Sequence, residues 1–261
     1  MSEQLKKLQI DKRSKAAGLF LSVLLAGCSP EASHPTVPAK GTAASQPAFS
    51  PESSIREISP EQAALMKGVT LSDYPGCATA DELRIVDVPY KNFDGANAMG
   101  ALVVRRELAS EVGDIFEEIY KTDFKIAQVV LPEASTSKRS NDPATGVAID
   151  NELMEKNITS GFNCRTLDGK VDKHGLGRAI DINPLQNPMI EPNPFTSPHA
   201  AKFTYSPPAA EGTWETSRPD TLLTRQSKIG SKVITIFKQH GWRWGGDFKT
   251  IYDGQHFDKS T

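Results

Sequence analysis

The chain has 261 residues, 38% of them hydrophobic and 24% charged, the make-up of an ordinary globular domain with length left over for a tail. A net charge of −2 excludes the basic excess that a nucleic-acid-binding protein normally carries. No internal repeat is visible.

Residues 1–27 read as a signal peptide and not as part of the fold. Lys6, Lys7, Lys12, Arg13 and Lys15 form a positive leader, and Ala16 to Ala26 is an apolar run too short to span a membrane as a mature helix. The run ends in Leu25-Ala26-Gly27-Cys28, which resembles a bacterial lipobox. That resemblance implies cleavage before Cys28, lipidation of the cysteine and anchorage to the cell envelope. Ser29 follows it rather than an aspartate, which points to the outer membrane facing the periplasm if the cell is Gram-negative. Residues 28–59, rich in Pro, Ala, Ser and Thr, read as a flexible tether with a reach of about 30 Å. The working domain is then 60–261. Export leaves Cys77 and Cys164 in an oxidising compartment, where they are either a disulfide or two buried thiols.

Within the domain, Ser59-Pro60-Glu61-Gln62 reads as a helix start, with a short helix to about Lys67. Leu83 to Tyr90 reads as a strand, Asn92-Phe93-Asp94-Gly95 as a turn and Met99 to Arg105 as a second strand. Glu107 to Thr122 carries the strongest helical spacing: Leu108, Val112, Ile115, Phe116 and Ile119. Ile126 to Leu131 is strand-like, Glu133 to Gly146 a loop and Ala148 to Glu155 a short helix. Ala179 to Ile182 reads as a strand ended by Asn183-Pro184. Asn187 to Gly212 is a long proline-rich loop of the kind that rims functional sites. Thr224 to His240 reads as a second long helix, followed by the glycine and tryptophan turn Gly241-Trp242-Arg243-Trp244-Gly245-Gly246. Strands and helices mix without regular alternation, which predicts an α+β domain.

Two stretches carry chemistry. In the first, His174 and Asp181 stand seven residues apart across Gly175 and Gly177. The second is Asp253-Gly254-Gln255-His256-Phe257 at the tail. If they close on one ion, His174, Asp181 and His256 supply two imidazoles and a carboxylate and leave one position open, which is the arrangement of a hydrolytic zinc site. The glycines remove side-chain bulk where backbone and metal crowd together.

The whole set resembles the M15 metallopeptidases, the zinc D-alanyl-D-alanine carboxypeptidase and L-alanyl-D-glutamate endopeptidase group. Their pattern runs Ser, any, His, two residues, Gly, any, Ala, any, Asp. The chain matches it at His174, Gly177, Ala179 and Asp181, and departs from it at Asp172, where the family has Ser. The likeness extends through Phe162-Asn163-Cys164-Arg165 and the tryptophan turn to His256. It implies a helix-flanked antiparallel sheet of the Hedgehog and DD-peptidase type with the zinc site on the sheet. It implies one zinc ion on His174, Asp181 and His256, with Asp253 as general base and Arg165 as the substrate-binding arginine. The residues alone also allow Asp253 as a turn residue beside Gly254 and Arg165 as a structural ion pair. Asp258 is a candidate to orient a ligand histidine, and His240 to cap a helix. The activity implied is hydrolysis of a peptide bond in peptidoglycan stem peptides, as carboxypeptidase or endopeptidase. The alternative is a zinc-containing peptidoglycan binder without turnover.

Overall fold

The computed structural model describes residues 49–139, 142–190 and 218–260, without the side chains of 143–145. The leader, Cys28 and most of the proline-rich loop lie outside the described residues. The elements in chain order are β1 (Ser54–Arg56), α1 (Pro60–Met66), β2 (Leu83–Lys91), β3 (Asn97–Arg105), α2 (Ala109–Tyr120), β4 (Gln128–Val129), α3 (Pro143–Glu155) and β5 (Ile158–Thr159). There follow β6 (Thr166–Leu167), β7 (Lys170–Val171), β8 (Ala179–Asp181), β9 (Met189–Ile190), α4 (Gly230–Gln239), β10 (Arg243–Trp244), β11 (Tyr252–Asp253) and β12 (His256–Asp258).

The fold is α+β. Its strands form small sheets rather than one large one: β1-β2-β3, β10-β12-β8, and the pairs β11-β9, β4-β5 and β6-β7. The named pairs are antiparallel except β4-β5, which is parallel. The helix α3 joins β4 to β5, and a crossover of this length is what parallel neighbours require.

The β2-β3 hairpin is the frame. Its turn is tied by the Asn92 side chain, whose Oδ1 accepts from the Asp94 and Ala96 amides at 3.0 and 2.9 Å. Side chains alternate between two cores, as the two-residue period of a strand demands. Val86, Val88, Leu102 and Val104 face α2 and α4, meeting Val112, Ile115, Phe116, Val233 and Phe237. Leu83, Ile85 and Val103 face the other way, onto Met66, Phe162 and the Cys77–Cys164 disulfide. Phe237 stacks on Phe257 of β12 at 3.9 Å between centroids, so the first core runs continuously into the sheet that carries the site.

Several boundaries differ from the sequence reading. The stretch expected as tether up to residue 59 is partly built into the domain, because β1 pairs with β2 from Ser54↔Asp87 to Arg56↔Ile85. Arg56 grips Asp87 with two nitrogens, at 2.7 and 2.9 Å, and Ser53 donates twice to Glu117. Polar side chains thus anchor a segment that composition alone reads as loose.

The helix expected from Thr224 begins only at Gly230, because hydroxyls compete for the preceding backbone. Thr224 Oγ1 accepts from the Ser227 amide at 3.0 Å, and Ser227 Oγ accepts from the Gly230 amide at 3.0 Å. In the other direction α3 is longer than expected and starts at Pro143, where the missing N–H costs nothing. Within Ile126–Leu131 only Gln128–Val129 is strand. Among the described residues no helix is long and apolar enough to cross a membrane.

Candidate metal centre

The sheet β10-β12-β8 brings two of the proposed ligands together. Its register sets His256 directly opposite Asp181, with Phe257↔Ile180 next to them. Alternation sends Phe257 and Ile180 into the core, so His256 and Asp181 share the opposite face. Asp181 is also pinned from its other edge, exchanging two backbone bonds with Ser160 at 3.0 and 2.9 Å.

His174 comes from the turn before β8. Asp172 shapes this turn: its Oδ1 accepts from the Gly175 amide at 2.9 Å, and its backbone carbonyl accepts from Leu176 at 3.2 Å. Gly177 follows at φ +67°, and a Cβ there would lie 2.8 Å from both the Arg105 amide nitrogen and Leu83 Cδ2. Only glycine satisfies both the backbone angle and the close approach. His174 Nδ1 donates to the Gly161 carbonyl at 2.7 Å, which leaves Nε2 as the free donor atom.

The three donor groups converge. His174 Nε2 lies 3.3 Å from His256 Nδ1 and 3.3 Å from Asp181 Oδ2, and His256 Nδ1 lies 2.9 Å from Asp181 Oδ1. They are the group among the described residues able to hold a metal ion. His174 and Asp181 are buried and His256 nearly so. Burial acts to strip the charge from each, yet the Asp181 carboxylate holds both imidazoles above their ordinary pKa, and they hold it well below the usual carboxylate range. A site that binds protons this way has the charge and donors for a divalent cation. Behind His256, Asp258 Oδ2 lies 3.6 Å from Nε2, and Arg243 clamps that carboxylate with bonds of 2.7 and 2.6 Å. Asp258 therefore backs the histidine, as an orienting group should.

Asp253 ends β11, paired with Met189 of β9. Its approach to His256 depends on Gly245, where a Cβ would sit 2.4 Å from the Asp253 carbonyl oxygen and 3.1 Å from His256 Cβ. Asp253 Oδ1 is buried and has no hydrogen-bond partner among the described residues. Burial pushes this carboxyl up to about 7. A dication in the neighbouring cluster acts in the opposite sense. Asp181, Asp253 and His256 line a cavity of about 400 Å³ together with Arg165, Asp172 and Lys173.

Arg165 lies in this cavity, but its charge is engaged. Its Nη1 bonds Asp150 of α3, and its Nε bonds Asp172 at 2.6 Å. Asp150, a cavity residue, was invisible to sequence reasoning: it is 15 positions from Arg165, and no spacing rule connects them. The Asp172 departure has a physical account, because a carboxylate both caps the turn and reaches Arg165. His240 ends α4 and turns to Glu118, with Nε2 3.1 Å from Oε1, away from the cluster. Trp242 and Trp244 are core residues whose indole N–H groups donate to Glu111 and to the Gly254 carbonyl.

No curated protein and no solved structure matches the chain. Residues 168–259 match the family model described as D-alanyl-D-alanine carboxypeptidase, of the M15 peptidases. The matched segment contains His174, Asp181, Asp253 and His256, and the match supports membership of the M15 peptidases.

Proposed function

We propose that the chain is a zinc-dependent hydrolase of peptide bonds in the stem peptides of bacterial peptidoglycan. One observation carries the reading: two histidines and an aspartate converge beside a cavity lined by Asp181, His256 and Asp253, whose buried Oδ1 has no hydrogen-bond partner among the described residues. The donor set fits zinc. Zinc takes imidazole nitrogen and carboxylate oxygen together, and here two imidazole nitrogens 3.3 Å apart each face one oxygen of the Asp181 carboxylate, at 3.3 and 2.9 Å. Three protein ligands leave one position open, as in catalytic rather than structural sites. Zinc held there supplies a Lewis acid that polarises a peptide carbonyl and makes water nucleophilic near neutral pH.

The chain's own residues do the rest. Asp253 takes the proton of the attacking water and returns it to the leaving amine as the C–N bond breaks. Its neighbour Gly245 lets it stand close to His256. Asp258 and the Gly161 carbonyl fix the two imidazole rings, so the ligand atoms need no reorganisation. We take β10-β12-β8 as the metal-bearing sheet of a Hedgehog and DD-peptidase-like fold. The leader and Cys28 support a lipid-anchored envelope protein, which suits a cell-wall substrate.

The test is mass spectrometry of muropeptides after digestion with the wild type, with and without chelator, and with Asp253→Asn. The reading predicts a defined cleavage product that disappears with chelator and with the variant. Undiminished cleavage by Asp253→Asn removes the base assignment.

A further inference from the structure

The cavity beside the metal cluster holds two strong cations with different fates. Arg165 is 8% exposed and faces two carboxylates, Asp150 at 4% exposure and the half-buried Asp172. One positive charge between two negative ones leaves that wall no surplus to offer an anion. Withdrawing the guanidinium from either partner would strand a buried charge. Asp172 also holds the His174 turn through Gly175, so moving Arg165 onto a substrate would loosen a metal ligand. Lys173 lies between Asp172 and His174, lines the same cavity and is half-buried. Among the described residues its ammonium has no ion-pair or hydrogen-bond partner.

We propose that Lys173, and not Arg165, is the specificity-determining residue that receives a carboxylate of the substrate, while Arg165 is a positioning residue locked between Asp150 and Asp172. This deepens the peptidase reading and rests on it. The cavity then offers three things to a short acidic peptide: the metal cluster for the scissile carbonyl, the partnerless Asp253 oxygen for the proton, and Lys173 for an anionic group nearby. The turn that supplies the first metal ligand also supplies the specificity contact, and the two residues are adjacent in the chain. A lysine suits this place because its compact ammonium on a flexible stem adapts to one oxygen pair without a second planar partner.

The experiment uses the zinc-loaded full chain and two probes: a short stem peptide containing D-glutamate and D-alanine with its carboxylates free, and the same peptide with each carboxylate amidated. Affinities are read by calorimetry and cleavage by KM and kcat. The wild type is expected to bind the acid form about ten- to a hundredfold more tightly, the scale of one charge-assisted contact. Lys173→Met is expected to abolish this preference, acting on KM more than on kcat, and Lys173→Arg to restore most of it. Zinc content and thermal midpoint of each variant report whether the turn is intact, and Lys173→Gln serves if Lys173→Met does not fold. An acid preference that survives both Lys173→Met and Lys173→Gln overturns the proposal, as does a wild type that binds both peptides equally or binds neither. A preference for the acid form that Lys173→Met abolishes, without cleavage of either peptide, upholds Lys173 and sinks the peptidase reading instead.

Discussion

Cys77 and Cys164 close a loop across a sequence separation of 87, with Cα atoms 5.6 Å apart. In the chain-entropy treatment a loop of that length removes about 15 cal/mol/K from the unfolded state, or about 4.6 kcal/mol at 25 °C. Domains of this size are stable by about 5–15 kcal/mol, so the bond is a large fraction of the whole. The double variant Cys77→Ala, Cys164→Ala should therefore lose about 4–5 kcal/mol in urea unfolding, and the wild type should lose a similar amount under reductant. A melting decrease of about 9–18 °C corresponds to this. The bond has a second consequence, because its neighbours hold the metal turn. Ala78 donates to the Gly175 carbonyl at 2.9 Å, and Asn163 donates to the His174 carbonyl at 3.2 Å. The double variant should bind zinc more weakly even where it remains folded. A stability change below about 1 kcal/mol would refute the entropy argument, and unchanged zinc affinity in the folded variant would refute the coupling.

Other predictions follow the same geometry. Gly245→Ala places a methyl 2.4 Å from the Asp253 carbonyl oxygen and 2.8 Å from its Cβ. It should cost about 1–3 kcal/mol by overpacking and weaken zinc binding, read by thermal melting and metal titration; wild-type values in both would contradict the close approach. Asn187 is buried and donates to the carbonyls of Ile182, Asn183 and Thr221, while its Oδ1 accepts from Leu223 at 2.6 Å. Asn187→Ala strands these groups and should destabilise by at least about 2 kcal/mol in urea. Glu152 is held down to about 2 from 4.5, chiefly by Lys156 and then by Thr136 and Lys138. Its folded value lies below its unfolded one, so its stabilisation is present above about pH 4.5 and fades as pH falls towards 2. Glu152→Gln should flatten the stability profile across that window, and a slope equal to the wild type's would count against the assignment.

How far the sequence carried the reading follows from which interactions are local. Strand alternation in β2 and β3, the Ser59 cap with its 3.2 Å bond from Gln62, and the apolar face of α2 depend on neighbours in the chain, and their spacing is visible. The donor set was legible because His174, Gly177 and Asp181 sit in one short stretch and His256 in another. What stayed hidden is long-range polar anchoring. Ser53 and Arg56 make a strand of a stretch that composition marks as tether, through Glu117 and Asp87. Thr224 and Ser227 hold back a helix that apolar periodicity extends. Asp150 becomes a cavity residue only because α3 carries it to Arg165. The role of Asp172 needed that same contact, since a linear pattern reports it only as a departure.

The central claim is that His174, Asp181 and His256 jointly hold one zinc ion. Elemental analysis of the purified full chain, beside variants with each ligand changed to alanine and with all three changed, tests it most directly. The account predicts one zinc per chain in the wild type, sharply reduced content in each single variant and none in the triple. Zinc retained at full stoichiometry by the triple variant, or none taken up by the wild type, would contradict it.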